Sequence, residues 1–224
     1  MIFHKKKRGV EEWWTNVADL MSGLMMIFMF IAVSYMAIIQ SEATSYFDLQ
    51  KDLYQNLEKE FKDDKEKWKA VIEKDATVRF QEPDVLFAPA SAEIKPRFKE
   101  ILNDFFPRYL RIVSQEPYKS RVEEIRIEGH TSSDWKDQKG TQIAYFNNMA
   151  LSQDRTRSVL VYVWEKTPAD QRNWLQGHLT ANGLSSSKLI TTEDGIEDPE
   201  MSRRVEFRIR IGTEDTMKSM AGKK

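Results

Sequence analysis

The sequence predicts a single N-terminal transmembrane helix and a stalk helix, followed by an α+β domain with a mixed sheet and helices packed on one face. Three observations support this fold class. No Lys, Arg, Asp or Glu occurs from Leu20 to Ser41, a charged amphipathic stretch follows, and short extended segments alternate with helical ones after Asp75. The predicted boundaries are a basic tail at 1–17, the transmembrane helix at 18–41, the stalk or linker helix at 42–75, the α+β domain at 76–212 and a flexible tail at 213–224.

The uncharged run is long enough to cross a bilayer once. At a rise of about 1.5 Å per residue, its roughly 22 residues span about 33 Å, close to the thickness of the hydrocarbon core. No cleavage site with small residues follows, so we expect an uncleaved anchor. The bases of "KKKR" at 5–8 precede the run, and no base follows it before Lys51. This asymmetry predicts a cytoplasmic N-terminus, with everything after about residue 42 on the other side of the membrane.

Composition excludes several classes of protein. The chain has 34 basic and 35 acidic side chains and a net charge of −1, which does not fit a nucleic-acid-binding protein. It has no cysteine and 3 histidines, so neither thiol chemistry nor a spaced set of metal ligands is predicted. No nucleophile stands at motif spacing from a histidine and an acid, so we expect no enzymatic activity and no cofactor.

The stretch from Glu42 to about Lys74 predicts one amphipathic helix that continues from the membrane span. Its apolar residues recur at steps of three and four, and neither Gly nor Pro occurs between Leu24 and Glu82 to interrupt it. The simplest interpretation is a spacer helix whose apolar stripe packs against a neighbouring element.

The region after Asp75 predicts a compact domain of alternating strands and helices. Helices are predicted at "KPRFKEILNDFFPRYLRIVSQ", at "NNMALSQDRTRSVLVYVWEK" and at "PADQRNWLQGHLTANG", the last ended by Gly183. Strands are predicted at "TVRF", "VEEIRIEG", "KLITTE" and "RRVEFRIRI", with a turn at Pro83 after the first. In the last strand, the alternation of apolar and charged residues predicts that Val205, Phe207, Ile209 and Ile211 share one face.

Four blocks within residues 77–212 resemble the OmpA/MotB-type peptidoglycan-binding domain. In chain order they are "VLFAPASAEIKP", "IRIEGHTSS", "NNMALSQDRTRSV" and "SRRVEFRIRI". The third contains Asn148-x-x-Leu151-Ser152-x-x-Arg155, which resembles the N-x-x-L-S-x-x-R motif of the family. The resemblance therefore implies an OmpA-like fold and peptidoglycan as a binding partner.

The same resemblance implies which residues bind the ligand. The binding pair of the family is an Asp directly after G-H-T and the Arg of the helix motif. Here the Arg is Arg155, but Ser132 follows the G-H-T block and Asp134 lies two residues further on. A guanidinium offers a planar pair of donors to a carboxylate of the peptidoglycan stem, and a nearby Asp can accept from its ammonium group. The implied binding residues are Arg155, Asp134, Thr131, Ser132, His130, Asn148, Arg203 and Arg204.

Several of these residues have simpler interpretations. Arg155 lies in a segment rich in charge and fits a solvated helix surface. His130 stands at a strand end, where a hydrogen-bonded structural histidine is common. Arg203 and Arg204 fit the exposed face at the start of an edge strand. The motif context favours binding, and the alternatives stay open at this point.

Asp19 is a carboxylate at the head of the apolar run. One interpretation is a boundary residue that reaches the headgroups or interacts with the helix N-terminus. Against it, Ser22, Gly23 and Met26 share a helical face with Asp19, and small residues permit another helix to approach closely. An acid at membrane depth costs roughly 2.5–3.5 kcal/mol on insertion scales, a cost that is relieved when it binds a proton or a cation. Asp19 is thus a candidate ion carrier.

The order of basic tail, acid-bearing span, stalk and OmpA-like domain resembles the B subunit of flagellar-type stators. The stretch "WWTNVADLMSGLMMIFMF" more closely resembles the ZorB family of Zorya anti-phage defence systems. This resemblance implies a bacterial inner-membrane homodimer with a periplasmic C-terminal domain. It also implies a multi-span MotA-like (ZorA-like) partner, five copies for two of this chain, that rotates as ions pass Asp19. The alternatives are a flagellar MotB-type stator subunit, a passive peptidoglycan tether and, more distantly, a wall hydrolase.

Overall fold

A computed structural model describes residues 5–81 and 83–212 of the chain. The protein divides into two compact units, Met1–Ser45 and Tyr46–Lys224. The first four residues of the predicted basic tail and the predicted flexible tail at 213–224 lie outside the described residues.

The first unit is formed by the N-terminal part of helix α1, which runs over Lys5–Phe61. Among the described residues, one helix is long and apolar enough to cross a membrane by length and composition, and the predicted span lies within it. The side chains of this span are exposed, with Met26 at 72% and Phe30 at 74%. Its apolar surface has no cover within this unit and suits lipid or the helices of a partner.

The second unit begins with the last turns of α1. Leu53, Leu57 and Phe61 are almost fully buried there. The predicted stalk helix to about residue 74 is wrong beyond Phe61, because the chain turns and forms a short helix, α2 at Lys65–Trp68, and strand β1 at Ala70–Ile72. Lys69 ends α2 with a left-handed φ of 49°. Residues 70–72 pair with residues 78–80 in a hairpin, and residues 78–80 pair with the distant residues 205–207. This sheet pairing overrides the helical pattern of the sequence.

The sheet of the second unit has five strands in the order β1-β2-β7-β3-β6. The strands that follow β1 are β2 at Val78–Phe80, β3 at Val122–His130, β6 at Leu179–Gly183 and β7 at Arg204–Ile211, and a separate hairpin is formed by β4 at Asp134–Trp135 and β5 at Gln138–Lys139. Strand β3 pairs in parallel with β6 and antiparallel with β7. The predicted mixed sheet is confirmed.

Helices supply the other layer of the core. They are α3 at Pro83–Leu86, α4 at Pro96–Val113, α5 at Gln142–Lys166, α6 at Ala169–His178 and α7 at Pro199–Ser202. Phe105 of α4 packs against Phe80 and Phe207, with ring centroids 5.0 and 5.1 Å apart. The predicted alternation in β7 is confirmed, because Val205, Phe207, Ile209 and Ile211 are all buried. Helix α5 begins at the N-cap Thr141, whose side chain accepts from the Ala144 amide.

Three local predictions are wrong. "LTANG" is strand β6 and does not continue a helix, because the long crossover through α5 and α6 returns the chain parallel to β3. "KLITTE" forms only an isolated bridge between Thr191 and Glu197. Its backbone groups form hydrogen bonds outside the sheet. The Ile190 amide donates to the Ser202 hydroxyl, and the Ile190 carbonyl accepts from the Asp198 amide. Pro83 starts the short helix α3 in place of the predicted turn.

Candidate functional site

A pocket of about 280 Å³ lies between α5, the loop after β3, the β4–β5 hairpin and residues 87–90. Its lining brings together most of the predicted site residues, namely Thr131, Ser132, Asp134, Asn148, Arg155 and Arg203. These residues come from two distant parts of the chain, and the tertiary fold places them around one cavity. The pocket is therefore the candidate binding site.

Gly129 and Gly183 allow α5 to approach the sheet beside this pocket. A Cβ at Gly129 would lie 2.6 Å from Thr156 Cγ2 and 2.9 Å from the Ser152 carbonyl oxygen. Ser152, the serine of the helix motif, is buried, and its hydroxyl accepts from the Ser185 amide at 3.1 Å. The close approach places Arg155 at the ends of the central strands.

Arg155 is held by the backbone of the opposite wall. Its Nε donates to the Ser91 carbonyl at 2.9 Å and its Nη2 to the Ala88 carbonyl at 3.2 Å, while the guanidinium lies over the Phe87 ring at 4.9 Å. No carboxylate of the described residues forms an ion pair with it. Burial and the charge of Arg203 lower the pKa of Arg155 to about 10. The side chain remains charged at neutral pH, and an anion in the pocket would stabilise it.

Asn148 positions the loop that carries the predicted acid. Its side-chain amide donates to the Ser132 carbonyl at 3.1 Å and to the Asp134 carbonyl at 3.0 Å. The Ser133 amide donates to Glu197 at 2.8 Å, and the Ser133 hydroxyl donates to the same carboxylate. The loop is thereby fixed from two sides, with Ser132 buried and the Asp134 side chain partly exposed at the pocket.

Thr131 offers a further polar group to the pocket. Its hydroxyl is buried and has no hydrogen-bond partner among the described residues, although its amide donates to the Ser185 carbonyl at 3.0 Å. A buried hydroxyl without a partner is uncommon and costs free energy. A ligand atom in the pocket would supply the missing partner.

Sequence reasoning missed part of the lining. The residues that it did not select are Phe87, Pro89, Ala90, Trp135, Lys136 and Leu151. Trp135 and Lys136 come from the β4–β5 hairpin, whose two-residue loop contains Lys136 at a φ of 52°. Two-residue hairpin loops require positive φ, but "WKDQ" contains neither Gly nor Asn to indicate one. Ala90 is also left-handed, with a φ of 52°.

His130 and Arg204 do not line this pocket. They form a cross-strand pair between β3 and β7 and belong to a buried cluster of charged residues. His130 Nε2 lies 3.8 Å from Glu128 Oε2 and 3.7 Å from Glu206 Oε2, and Arg204 Nε donates to Glu206 Oε1 at 2.6 Å. The reason is strand alternation, because residues two apart on β3 share a face and His130 follows Glu128. The structure thus places both residues in a buried charged cluster of the sheet, outside the lining of the pocket.

Asp19, the predicted ion carrier, lies on the exposed surface of the first unit. It forms no ion pair with a described residue. A Cβ at Gly23, one turn further along the helix, would meet nothing within 4 Å. Packing within the described residues therefore does not require glycine at this position.

The chain is similar in sequence to the Zorya protein ZorB of Escherichia coli. The two are 46% identical over 218 residues, which cover 93% of this chain and 92% of the relative. This chain belongs to the ZorB family. No family model matches it.

A solved structure shows the fold of this ZorB-family chain. A MotB-like protein from Desulfovibrio vulgaris superposes with a TM-score of 0.52 at 23% identity, over 74% of this chain and 96% of that one. The cell wall anchor of the T6SS from Pseudomonas aeruginosa is also similar, with a TM-score of 0.47 and 22% identity over 69% of this chain and 96% of that one. The predicted MotB-type fold of the C-terminal domain is confirmed.

Proposed function

We propose that this chain is the peptidoglycan-anchored, ion-carrying subunit of a Zorya motor. Its N-terminus lies in the cytoplasm, its span in the bacterial inner membrane and its C-terminal domain in the periplasm. The pocket around Arg155 binds the wall, and Asp19 carries H⁺ or Na⁺. The role is mechanical and not enzymatic. The observation that carries the proposal is Arg155, a largely buried cation without an acidic partner in a pocket of a MotB-like domain.

The pocket suits a ligand that carries both a carboxylate and an ammonium group. Arg155 uses Nε and one Nη2 hydrogen on backbone carbonyls, so Nη1 keeps its hydrogens for a ligand. Arg203 adds a second positive charge, and its Nε is buried without a hydrogen-bond partner. Asp134 supplies the acid for an ammonium group. Peptidoglycan stem peptides present both groups, and Asp134 takes the role that Ser132 cannot perform.

Binding to purified sacculi tests the wall-anchoring part. The full chain in detergent is incubated with sacculi, and the bound fraction is measured for the parent, Arg155→Ala and Arg155→Lys. We expect Arg155→Ala to lose at least about tenfold in affinity, because a hydrogen bond to a charged group is worth about 1.5–3 kcal/mol. Arg155→Lys keeps the charge but loses the planar pair of donors, so its affinity falls in between.

Arg157→Ala is the matched control, since Arg157 lies on α5 and is exposed. Thermal melting of each variant separates lost binding from lost folding. Sacculi whose stem carboxylates are amidated should bind the parent protein weakly. Equal binding of the parent and of a folded Arg155→Ala protein to unmodified sacculi contradicts the site assignment.

The ion-carrying part rests on the first unit. Asp19 and Gly23 lie on one face of an apolar helix whose surface nothing in this unit covers. A single span cannot enclose a path for ions, so a multi-span partner completes it. We propose a MotA-like partner with five copies around two of this chain, each Asp19 facing a helix of the partner. Bound H⁺ or Na⁺ offsets the cost of placing the carboxylate at membrane depth.

Replacement of Asp19 tests this mechanism. Asp19→Asn keeps the size of the side chain but removes its charge, and we expect it to abolish phage defence while the complex still assembles. Asp48→Asn is the control, because Asp48 is an exposed acid of α1 outside the apolar run. Full defence with Asp19→Asn, together with lost defence for Arg155→Ala, would instead support a passive tether.

Gly23 tests the partner contact. Gly23→Leu adds a side chain where no described residue lies within 4 Å. A partner helix packed closely on this face would clash with it, so we expect the change to prevent co-purification with the MotA-like partner. Normal co-purification of Gly23→Leu would show that this face is not the contact.

A further inference from the structure

We propose that Glu128, His130 and Glu206 bind one divalent transition-metal ion, with Zn²⁺ as the best fit, on the face of the sheet opposite the helices. Glu128 of β3 and Glu206 of β7 are direct cross-strand partners, and His130 lies two residues after Glu128 on the same face. All three residues are buried: Glu128 and His130 are each 4% exposed, and Glu206 is 1% exposed. The three residues are outside the lining of the Arg155 pocket, so this inference is independent of the proposed wall binding.

The separations of the donor atoms are close to those of a metal site. His130 Nε2 lies 3.8 Å from Glu128 Oε2 and 3.7 Å from Glu206 Oε2, and one donor atom from each residue lies within 4.8 Å of the other two. Zinc–nitrogen and zinc–oxygen bonds of about 2.0–2.1 Å in tetrahedral geometry place ligand atoms about 3.3 Å apart. Small rotations of these side chains therefore close the site, and water would take the fourth position.

His130 is available as a ligand. Its side chain is 2% exposed, and neither buried ring nitrogen has a hydrogen-bond partner in the part of the chain that the structure describes. Buried polar atoms without a partner are rare in folded proteins, so each requires an explanation. Nε2 is directed between the two carboxylates, and a metal ion at that point would satisfy it.

The two oxygens of Glu206 have different surroundings. Oε1 accepts from Arg204 Nε at 2.6 Å and from Arg79 Nε at 2.8 Å. Oε2 accepts no hydrogen bond from either arginine and is directed toward His130. Outer hydrogen bonds of this kind fix the orientation of a carboxylate ligand at a metal site.

Glu128 has two long ion pairs and no hydrogen bond to a positive group among the described residues. Arg208 Nε and Arg126 Nη1 lie 3.8 and 3.9 Å from its oxygens, beyond hydrogen-bond distance. Two carboxylates directly opposite each other in a sheet repel. Arg208, whose Nη2 lies 3.9 Å from Glu206 Oε2, offsets that repulsion, and a divalent cation bound to the same oxygens would take its place. Arg208 is 43% exposed and can turn toward solvent as the ion enters. One imidazole and two carboxylates form a donor set that zinc accepts.

Metal analysis of the full chain tests the proposal. Untagged protein in detergent is stripped with a chelator, incubated with zinc sulfate and desalted, and bound zinc is measured by mass spectrometry. We expect about one zinc per chain, with an unfolding temperature raised by several degrees. Glu128→Gln and His130→Gln should each bind zinc at least about tenfold more weakly.

His178→Gln is the control, because His178 bonds the Trp174 carbonyl through Nδ1 and lies outside the cluster. Circular dichroism checks that each variant folds. If a variant does not fold, zinc-edge X-ray absorption of the parent protein gives an independent measurement, with one imidazole in a nitrogen and oxygen shell as the expected result. The proposal is wrong if the folded parent retains no zinc, or if folded Glu128→Gln and His130→Gln retain as much as the parent.

Discussion

Gly183 of β6 lies against Gln153 of α5 so closely that a Cβ at position 183 would stand 2.3 Å from the Gln153 backbone nitrogen. The helix that carries Asn148 and Arg155 is therefore seated directly on the backbone of the sheet. The position of the pocket depends on this contact, because a displacement of α5 would move Arg155 away from the loop after β3.

We predict that Gly183→Ala destabilises the protein by about 1–3 kcal/mol, the usual cost of inserting an atom into a packed interior. The measurement is the urea midpoint, together with binding to sacculi, which should weaken as α5 shifts. Gly177→Ala is the control, since a Cβ at Gly177 of α6 would meet nothing within 4 Å. Gly177→Ala should leave the urea midpoint unchanged or raise it slightly, because alanine has a higher helix propensity than glycine. Similar destabilisation by both changes would contradict the role given to Gly183.

Asn148→Ala should weaken wall binding more than it weakens folding. The change removes two hydrogen bonds, to the Ser132 and Asp134 carbonyls, and loosens the loop that presents Asp134. We expect a loss of about 1–3 kcal/mol in stability and a further loss of affinity for sacculi. Asn147→Ala, one residue earlier on α5, should change neither quantity. Parent-like affinity of a folded Asn148→Ala protein would show that the loop needs no such support.

Arg108→Ala should weaken the contact between the end of α1 and α4. Arg108 bonds the carboxylates of Glu60 and Asp64 at 2.8 and 2.9 Å and lies 4.9 Å from the Phe61 ring. Burial opposes the charge, but these hydrogen bonds outweigh it and raise the pKa of Arg108. We expect a loss of about 1–3 kcal/mol in the free energy of unfolding.

The control for Arg108 is Arg97→Ala on the same helix, whose ion pair with Glu100 is exposed. Exposed pairs contribute at most about 1 kcal/mol, so Arg97→Ala should have little effect. Denaturant unfolding of both variants distinguishes the two cases. Equal losses would show that the Arg108 network adds nothing beyond a surface ion pair.

Tyr118 makes the stability of the second unit depend on pH in the alkaline range. Its hydroxyl donates to Asp52 of α1, and burial together with this bond raises the pKa of Tyr118 to about 12. Tyrosine in an unfolded chain has a pKa of about 10. The neutral form is favoured in the folded state, so this stabilisation is complete below about pH 10 and is lost as the pH rises toward 12.

Tyr118→Phe should therefore be less stable than the parent at pH 8, with a difference that shrinks above pH 10. Urea midpoints from pH 8 to 11.5 provide the measurement. A difference that stays constant over this range would show that the Tyr118 hydroxyl does not titrate as expected.

Most of the site residues that the sequence predicted lie close together along the chain. Asn148 and Arg155 belong to one helical motif, and Thr131, Ser132 and Asp134 to one segment after a strand. Local pattern and family resemblance were sufficient for both groups. Lys136 was missed because its side chain reaches the pocket only through a left-handed turn that its residue type does not indicate.

The sequence by itself determined the apolar span with Asp19 at its head, the alternating strand that contains Phe207 and the helix motif that carries Arg155. Each is a periodic or local feature, so side-chain chemistry and spacing along the chain suffice to predict it. Only the tertiary structure decided that Ala70–Ile72 joins the sheet and that His130 belongs to a buried cluster and not to the pocket. The first outcome depends on a hairpin between β1 and β2 that joins the sheet through the distant strand β7, and the second depends on the pairing of β3 with β7. The partners, register and burial of distant strands cannot be predicted from neighbours in the sequence.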